Sequence, residues 1–241
     1  MYNQFKRTEM LIGENALNKL KNYRVAVFGI GGVGGICAEA LVRSGIGTLD
    51  IVDNDIVDIT NLNRQIIATH KTVGKNKVDV FEERAKEINP EVIINKHNFF
   101  FSKDTSSLFD FRNYDYVIDA IDSVSSKLEL VLKSQEANTP IISSMGTGNK
   151  LNAADLEVTD IYKTSVCPLA RVMRYELKKL GVKKLKVVYS KEEPIKSAVD
   201  ENGKSIPASS SFVPTAAGLI IAGEVIKDLI KGWQNSILVY N

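Results

Sequence analysis

The feature that most constrains this chain is Gly29-Ile30-Gly31-Gly32-Val33-Gly34-Gly35, five glycines in seven residues set between two apolar runs. Val25, Val27 and Phe28 crowd β-branched and aromatic side chains before it, which predicts a buried strand, and Ala38 to Val42 after it have helical character. Thr48 to Val52 supplies a second strand, so the order is strand, tight turn, helix, strand. Glycines let a backbone turn sharply and approach a phosphate, and a helix N-terminus adds unpaired N–H donors and partial positive charge. Asp53 falls just beyond the second strand, where a carboxylate can accept hydrogen bonds from a ribose. The stretch from Arg24 to Arg64 therefore reads as a nucleotide-binding α/β unit. The glycines alone do not say which nucleotide, because a nicotinamide-dependent dehydrogenase would carry the same glycines and the same acidic residue.

A length of 241 residues suits one α/β domain, with a nucleotide-binding half over 1–150 and a second half over 151–241. A net charge of +2 is too small to announce a nucleic-acid partner by itself. The first residues are polar and the apolar stretch Ala216 to Ile226 is interrupted by Gly218, Gly223 and Glu224, so no leader and no transmembrane segment is expected and the default compartment is the cytoplasm. Only Cys37 and Cys167 occur, neither in a Cys-x-x-Cys pair, so a four-thiolate zinc site is not expected.

Along the chain, Met10, Leu11, Leu17 and Leu20 predict a short amphipathic helix, with Arg7 a surface charge before it. The first helix of the core should stop near Ser44-Gly45. Beyond Asp53-Asn54-Asp55, the segment Asp58 to Gln65 is dense in amide and charged groups, and Asn61 and Arg64 are well placed to meet phosphates. Val78, Phe81, Ala85 and Ile88 recur at helical spacing, and Asn89-Pro90 ends that helix. Lys77 stands in its first turn, where a cation opposes the helix dipole unless an anion is near, so it is either an ordinary solvated lysine or a phosphate contact. Val92 to Ile94 predicts another strand, and Phe99, Phe101, Phe109 and Phe111 pack a helix-loop segment on the sheet. Tyr116 to Ser123 is a buried strand with two carboxylates: Asp119 inside it makes a structural hydrogen bond, while Asp122 at its carboxyl end is the functional one, suited to Mg²⁺.

In the second half, Ser125 to Glu136 reads as a helix, Pro140 to Ser144 as a strand and Leu156 to Ile161 as a strand of a less regular region. Cys167-Pro168 opens a helix on which Arg171, Arg174 and Lys178 share a face, either solvated or set against a nucleic-acid backbone. Lys191 to Ser211, with Asn202-Gly203, predicts an exposed hairpin or mobile loop. Phe212 to Leu229 is helical, and Ile237-Leu238-Val239 predicts a final strand. His70 and His97 have no partner at ligand or triad spacing.

Taken together, Gly29-x-Gly31-Gly32-x-Gly34, Asp53-x-Asp55, Thr60 to Gln65, Val73-Gly74-x-x-Lys77, Ile88-Asn89-Pro90 and Asp119 to Ser123 resemble the adenylation domain of the ubiquitin-activating, ThiF and MoeB superfamily. The resemblance implies a doubly wound, Rossmann-like, mostly parallel sheet with a C-terminal helix and strand extension. It implies an ATP site that takes in Gly29, Gly31, Gly32, Gly34, Asp53, Asp55, Asn61, Arg64, Gln65, Lys77, Asp122 and Ser123. Asp53 would hold the ribose, Asn61 and Arg64 the phosphates, and Asp122 the Mg²⁺, while Arg64, Lys77 and Asp122 would serve the reaction. Arg7 is similar to an N-terminal arginine that reaches the ATP site, often across a homodimer. Such a site activates a carboxylate by attack on the α-phosphorus of ATP.

Within the superfamily, Asp119 to Val124, Val158 to Thr164 and Pro168-Leu169-Ala170 look like the tRNA threonylcarbamoyladenosine dehydratases. That branch activates the carboxylate of a modified adenosine beside the anticodon and closes it to a ring. The resemblance implies ATP and Mg²⁺ without zinc, tRNA carrying threonylcarbamoyladenosine as partner, with Arg171, Arg174 and Lys178 as contacts, and a sulfur-transfer protein as a further possible partner. Cys37 and Cys167 then have structural roles, with thioester formation at Cys167 the minority alternative. The rival is an adenylyltransferase for a Gly-Gly-tailed carrier protein, against which the missing cysteine pairs count. The Asn61, Arg64, Lys77 and Asp122 set counts against the dehydrogenase.

Overall fold

The computed structural model describes residues 3–196, 198–199 and 205–231. Alternation in the strands builds a two-faced sheet. In β1 (Arg24–Phe28), Val25 and Val27 enter one core and Ala26 and Phe28 the other. Its neighbours are β2 (Thr48–Val52), β3 (Ile93–His97), β4 (Tyr116–Asp119), β5 (Ile141–Ser144), β6 (Leu156–Asp160) and β7 (Lys186–Ser190). The order is β3-β2-β1-β4-β5-β7-β6, every neighbouring pair parallel except β6 with β7. Strand order reverses between β1 and β4, and at such a switch point loops leave the carboxyl ends in opposite directions and open a crevice.

One face is covered by α2 (Glu14–Leu20), α3 (Gly34–Ser44), α4 (Lys77–Ile88) and α7 (Val213–Leu229), the other by α5 (Val124–Glu136) and α6 (Pro168–Lys179). Helix α3 ends at Gly45, left-handed at φ 94°, with Ile46 N donating to Leu41 O at 3.2 Å, the closure that glycine permits. Helices α3 and α7 approach closely because Gly218 lies where a Cβ would sit 2.3 Å from Val33 O. The phenylalanines group round Phe28, with Phe101 edge-on at a centroid distance of 4.8 Å.

Three expectations change, and the hairpin expected over 191–211 is present. The N-terminal helix is two, α1 (Lys6–Ile12) and α2, broken at Gly13 with φ 86°. Leu17 and Leu20 are buried, whereas Met10 and Leu11 are 71% and 77% exposed. The aromatic segment forms only single 3-10 turns, Ser106–Leu108 and Phe111–Asn113. Strand β7 is unforeseen: its first residue, Lys186, belongs to a basic run that masks the apolar Val187, Val188 and Tyr189 behind it. The 191–211 segment holds a hairpin, β8 (Ala198–Val199) with β9 (Ser205–Ile206). The strand expected at Ile237 to Val239 lies outside the described residues.

Asp50 of β2 is fully buried and accepts from Arg24 Nε at 2.7 Å and Nη2 at 2.9 Å, from Asn95 Nδ2 at 3.1 Å and from Tyr114 OH at 3.4 Å, with His97 Nε2 at 3.0 Å. Burial pushes this carboxyl up, but the bonds from Arg24, His97 and Asn95 together outweigh burial and hold it down at about 2. A carboxyl depressed on folding stabilises the protein above its unfolded value of 3.8 and loses that contribution as pH falls towards 2. Urea unfolding at pH 5 and pH 2.5 is expected to show roughly 2 kcal/mol more acid destabilisation in the native chain than in Asp50→Asn. Equal acid sensitivity of the two proteins would refute this role.

Candidate active site

The loop between β1 and α3 is compressed to a degree that only glycine allows. Gly29 has φ 91°, and a Cβ there would stand 2.7 Å from Ala120 O; on Gly34 it would stand 1.7 Å from Gly29 O. The first contact has a consequence beyond the loop, because Ala120 follows β4 and brings Asp122 to the same crevice. Asp53 ties the loop to β2: its Oδ2 accepts from Ile30 N at 2.7 Å and its Oδ1 from Asp55 N at 2.9 Å. Burial raises the Asp53 carboxyl above its ordinary value, while Lys77 and the two backbone donors pull the other way.

Lys77 opens α4 only 5% exposed, with Nζ 2.6 Å from Asp55 Oδ2 and 3.7 Å from Asp53 Oδ1. The anions that offset the helix dipole are thus the chain's own carboxylates. Asp55 is itself more than half exposed, so the ammonium stands at the crevice wall with its charge partly shared.

Asn61 and Arg64 sit on the segment after β2. Asn61 is buried, and its Oδ1 accepts from Asp58 N at 3.1 Å while Asp58 Oδ1 accepts from Thr60 N at 2.8 Å, a reciprocal cap on a 3-10 turn. The carboxamide oxygen is therefore committed to the turn that aims Arg64. The Arg64 stem lies over Gly32, Cγ and Cδ being 3.3 and 3.4 Å from where a Cβ would be, and its Nη1 donates to Thr60 O at 3.1 Å and to Asn63 Oδ1 at 2.8 Å. Gln65 is buried beside Gly31, with its Nε2 3.9 Å from that residue's Cβ position; its Oε1 is buried without a hydrogen-bond partner. An unpaired buried acceptor costs of order 1–3 kcal/mol, so this wall fits a ligand that donates to it, or a water brought with one.

Asp122 is exposed and makes no hydrogen bond or ion pair among the described residues. Mg²⁺ commonly takes one or two protein carboxylates, with phosphate oxygens and water completing its octahedron, so a lone free carboxylate fits it. No group of three or more His, Cys, Asp or Glu side chains that could hold a metal occurs among the described residues. Ser123 instead caps α5, its Oγ accepting from Ser126 N at 3.5 Å.

The structure therefore gathers Gly29, Gly31, Gly32, Gly34, Asp53, Asp55, Asn61, Arg64, Gln65, Lys77, Asp122 and Ser123 at one end of the sheet. It does not bring Arg7 there. Phe5, two residues before, packs by Gly45 at the far end of α3, and Gln4 Nε2 donates to Asn89 Oδ1 at 3.3 Å ahead of β3.

Below Asp122 lies an element that sequence reasoning missed. Lys127 Nζ is fully buried, 3.0 Å from both oxygens of Asp119, and donates to Ser144 O at 2.7 Å; Ser143 Oγ also donates to Asp119 Oδ2. This knot joins β4, α5 and β5 beside the loop that bears Asp122. A lysine in an apolar helix face was its one available signal. On the helix face expected to meet nucleic acid, Arg174 is tied by Nη1 to Thr164 O at 3.0 Å and to Thr164 Oγ1, while Arg171 and Lys178 are exposed. Cys167 is buried, with Sγ 3.6 Å from the Cβ position of Gly146.

Comparison with known proteins agrees along the whole chain. A model of the ThiF family matches residues 5–238. A tRNA threonylcarbamoyladenosine dehydratase of Bacillus subtilis (strain 168) is 43% identical over 244 residues, which cover 96% of this chain and 96% of the relative. The crystal structure of E. coli tRNA N6-threonylcarbamoyladenosine dehydratase, TcdA, in complex with AMP superposes with a TM-score of 0.89 at 33% identity, covering 96% of each chain. The same enzyme in complex with ATP gives 0.87 at 32% identity, covering 99% of this chain and 96% of that one.

Proposed function

The chain belongs to the ThiF family, and from that premise we propose that its site closes the threonylcarbamoyl group of a tRNA adenosine into a ring at the expense of ATP. It is an ATP-dependent tRNA threonylcarbamoyladenosine dehydratase. The observation that supports the site's part in this is the approach of Gly29 to Ala120, two residues before the exposed Asp122, beside the glycine loop whose Gly32 lies under Arg64.

The chemistry follows from that layout. A carboxylate oxygen of the modified nucleoside attacks the α-phosphorus of ATP; the bond to pyrophosphate breaks and an acyl-adenylate forms. Two anions must meet while charge builds on the leaving group, so the cations Arg64 and Lys77 have to stand fixed before the reaction. The reciprocal cap at Asp58 and Asn61 and the Asp53–Lys77–Asp55 cluster do this fixing. Asp53 is assigned to the ribose, and Gln65 Oε1 takes a donor from the ligand or its water. Asp122 would hold Mg²⁺, which supplies charge neutralisation at the phosphates. A nucleophile within the modified base then attacks the activated carbonyl and AMP leaves, so the nucleoside loses one water overall and needs no enzyme thiol. Arg7 joins this set only if it reaches the site of a second copy in a homodimer.

The test is ATP turnover with tRNA carrying threonylcarbamoyladenosine, the nucleoside being followed by mass. Loss of one water, abolished in Asp122→Ala and retained in Cys167→Ala, is expected. An unchanged nucleoside, with adenylation of a Gly-Gly-tailed carrier protein instead, would overturn the substrate while leaving the nucleotide site standing.

A further inference from the structure

The segment from Arg171 to Lys184 carries six cationic side chains against the single acid Glu176, in a chain whose whole net charge is only +2. The remainder of the protein is thus net acidic, and the positive charge is concentrated on and just beyond α6. Ala170, Met173 and Leu177 bury the inner face of this helix. Arg171, Tyr175, Lys178 and Lys179 face outward, and Tyr175 is 63% exposed with Lys179 Nζ 3.9 Å from its ring centroid.

Resting on the dehydratase reading above, we propose that the outer face of α6 is the tRNA-docking surface, on which Tyr175 stacks an unpaired base while Arg171, Lys178 and Lys179 hold phosphates. Three observations favour this occupant. Tyr175 stays largely exposed although Lys179, paired with Glu176 Oε1 at 3.1 Å, lies over its ring, and every base offers a π-face to an exposed ring among cations. Two copies of this face would set cations against cations, so self-pairing is opposed by the same charges that attract a polyanion. The position also suits the substrate. Helix α6 starts where Cys167 packs against Gly146, just past the carboxyl end of β5, and it packs along α5, which starts beside Asp122. The basic face therefore begins at the rim of the adenylation crevice and runs about 18 Å away from it. Arg174 is not part of it, since Thr164 holds its guanidinium; that residue positions the turn before α6.

The test uses the full-length protein and fluorescence anisotropy with two probes, tRNA carrying threonylcarbamoyladenosine and the same tRNA unmodified, across a salt series. Tyr175→Ala is expected to weaken binding of both about tenfold, the scale of one base stacked on an aromatic ring, and Tyr175→Phe to restore it. Lys178→Glu should weaken binding and lower the salt slope by about one, whereas Lys21→Glu, at the end of α2 on the opposite face of the sheet, should change neither. All three positions are exposed at the surface, and matched circular dichroism melts exclude unfolding as the cause. Native affinity and slope in both Tyr175→Ala and Lys178→Glu would overturn the proposal, as would a change in sedimentation of these variants without loss of tRNA binding. Failure of the dehydratase reading is distinguishable, because the native protein would then leave the nucleoside mass unchanged whatever α6 binds.

Discussion

Lys127→Met is expected to cost about 3–5 kcal/mol of stability, the scale set by removing one partner of a buried ion pair. Lys127 and Asp119 are both fully buried, so the variant would leave the Asp119 carboxylate with the Ser143 hydroxyl and one long backbone bond, from Ile121 N at 3.3 Å. Methionine matches the lysine stem in length, which keeps the packing of α5 nearly unchanged and isolates the charge. For a chain of this size the thermal midpoint should fall by roughly 10 °C. The double variant Lys127→Met with Asp119→Leu should recover most of the loss, since a matched apolar pair removes both charges at once. A single variant that melts with the native protein would show the pair to be dispensable. A double variant as unstable as the single one would assign the loss to packing instead. The Lys127 ammonium also donates to Ser144 O at 2.7 Å, so the same knot fixes the ends of β4 and β5 between which the Asp122 loop leaves.

That knot illustrates what a linear reading can and cannot find. Local signals were legible: the glycine loop between β1 and α3, the stop at Gly45 and the strand bearing Asp119 each depend on residues within a few positions of one another. Asp119 was placed as structural from its register alone, and its buried pair with Lys127 agrees, while Asp122, assigned to function from the same register, is exposed at the strand's carboxyl end. Partners from different elements were not legible. Nothing in the spacing of Lys127, or of Arg24 and Asp50, announces an ion pair, because pairing is decided when helix and strand meet. Lys77 shows the same limit, since the anions near it proved to be Asp53 and Asp55 from the preceding strand end. At Arg174 helical spacing gave the right face, but Thr164 lies before the helix and captures the side chain. Arg7 could not be placed at all, because a short helix bends away at Gly13 and carries it to the other end of the sheet.

Arg64→Ala should lower kcat for nucleoside dehydration about 10²- to 10³-fold, while ATP affinity falls by much less. The asymmetry follows from when charge appears. In the site proposed above, bound ATP would also meet Lys77 and the glycine-loop amides, so the ground state would lose one contact among several. In the transition state, negative charge builds on the departing pyrophosphate, and a donor held in advance is worth about 2.7–4 kcal/mol there. Arg64 is held in advance: its stem is packed over Gly32 and its Nη1 is anchored by Thr60 O and Asn63 Oδ1, so it need not reorganise as the bond breaks. Arg64→Lys should recover little, because a single ammonium cannot both keep those two anchors and present further donors in a fork. The fold should be indifferent to either change, since Arg64 is part-exposed and bonded only within its own turn. Single-turnover dehydration and ATP titration by calorimetry separate the two quantities. Equal losses in kcat and in ATP affinity would make Arg64 a ground-state clamp, and an unaffected kcat would remove it from the reaction altogether.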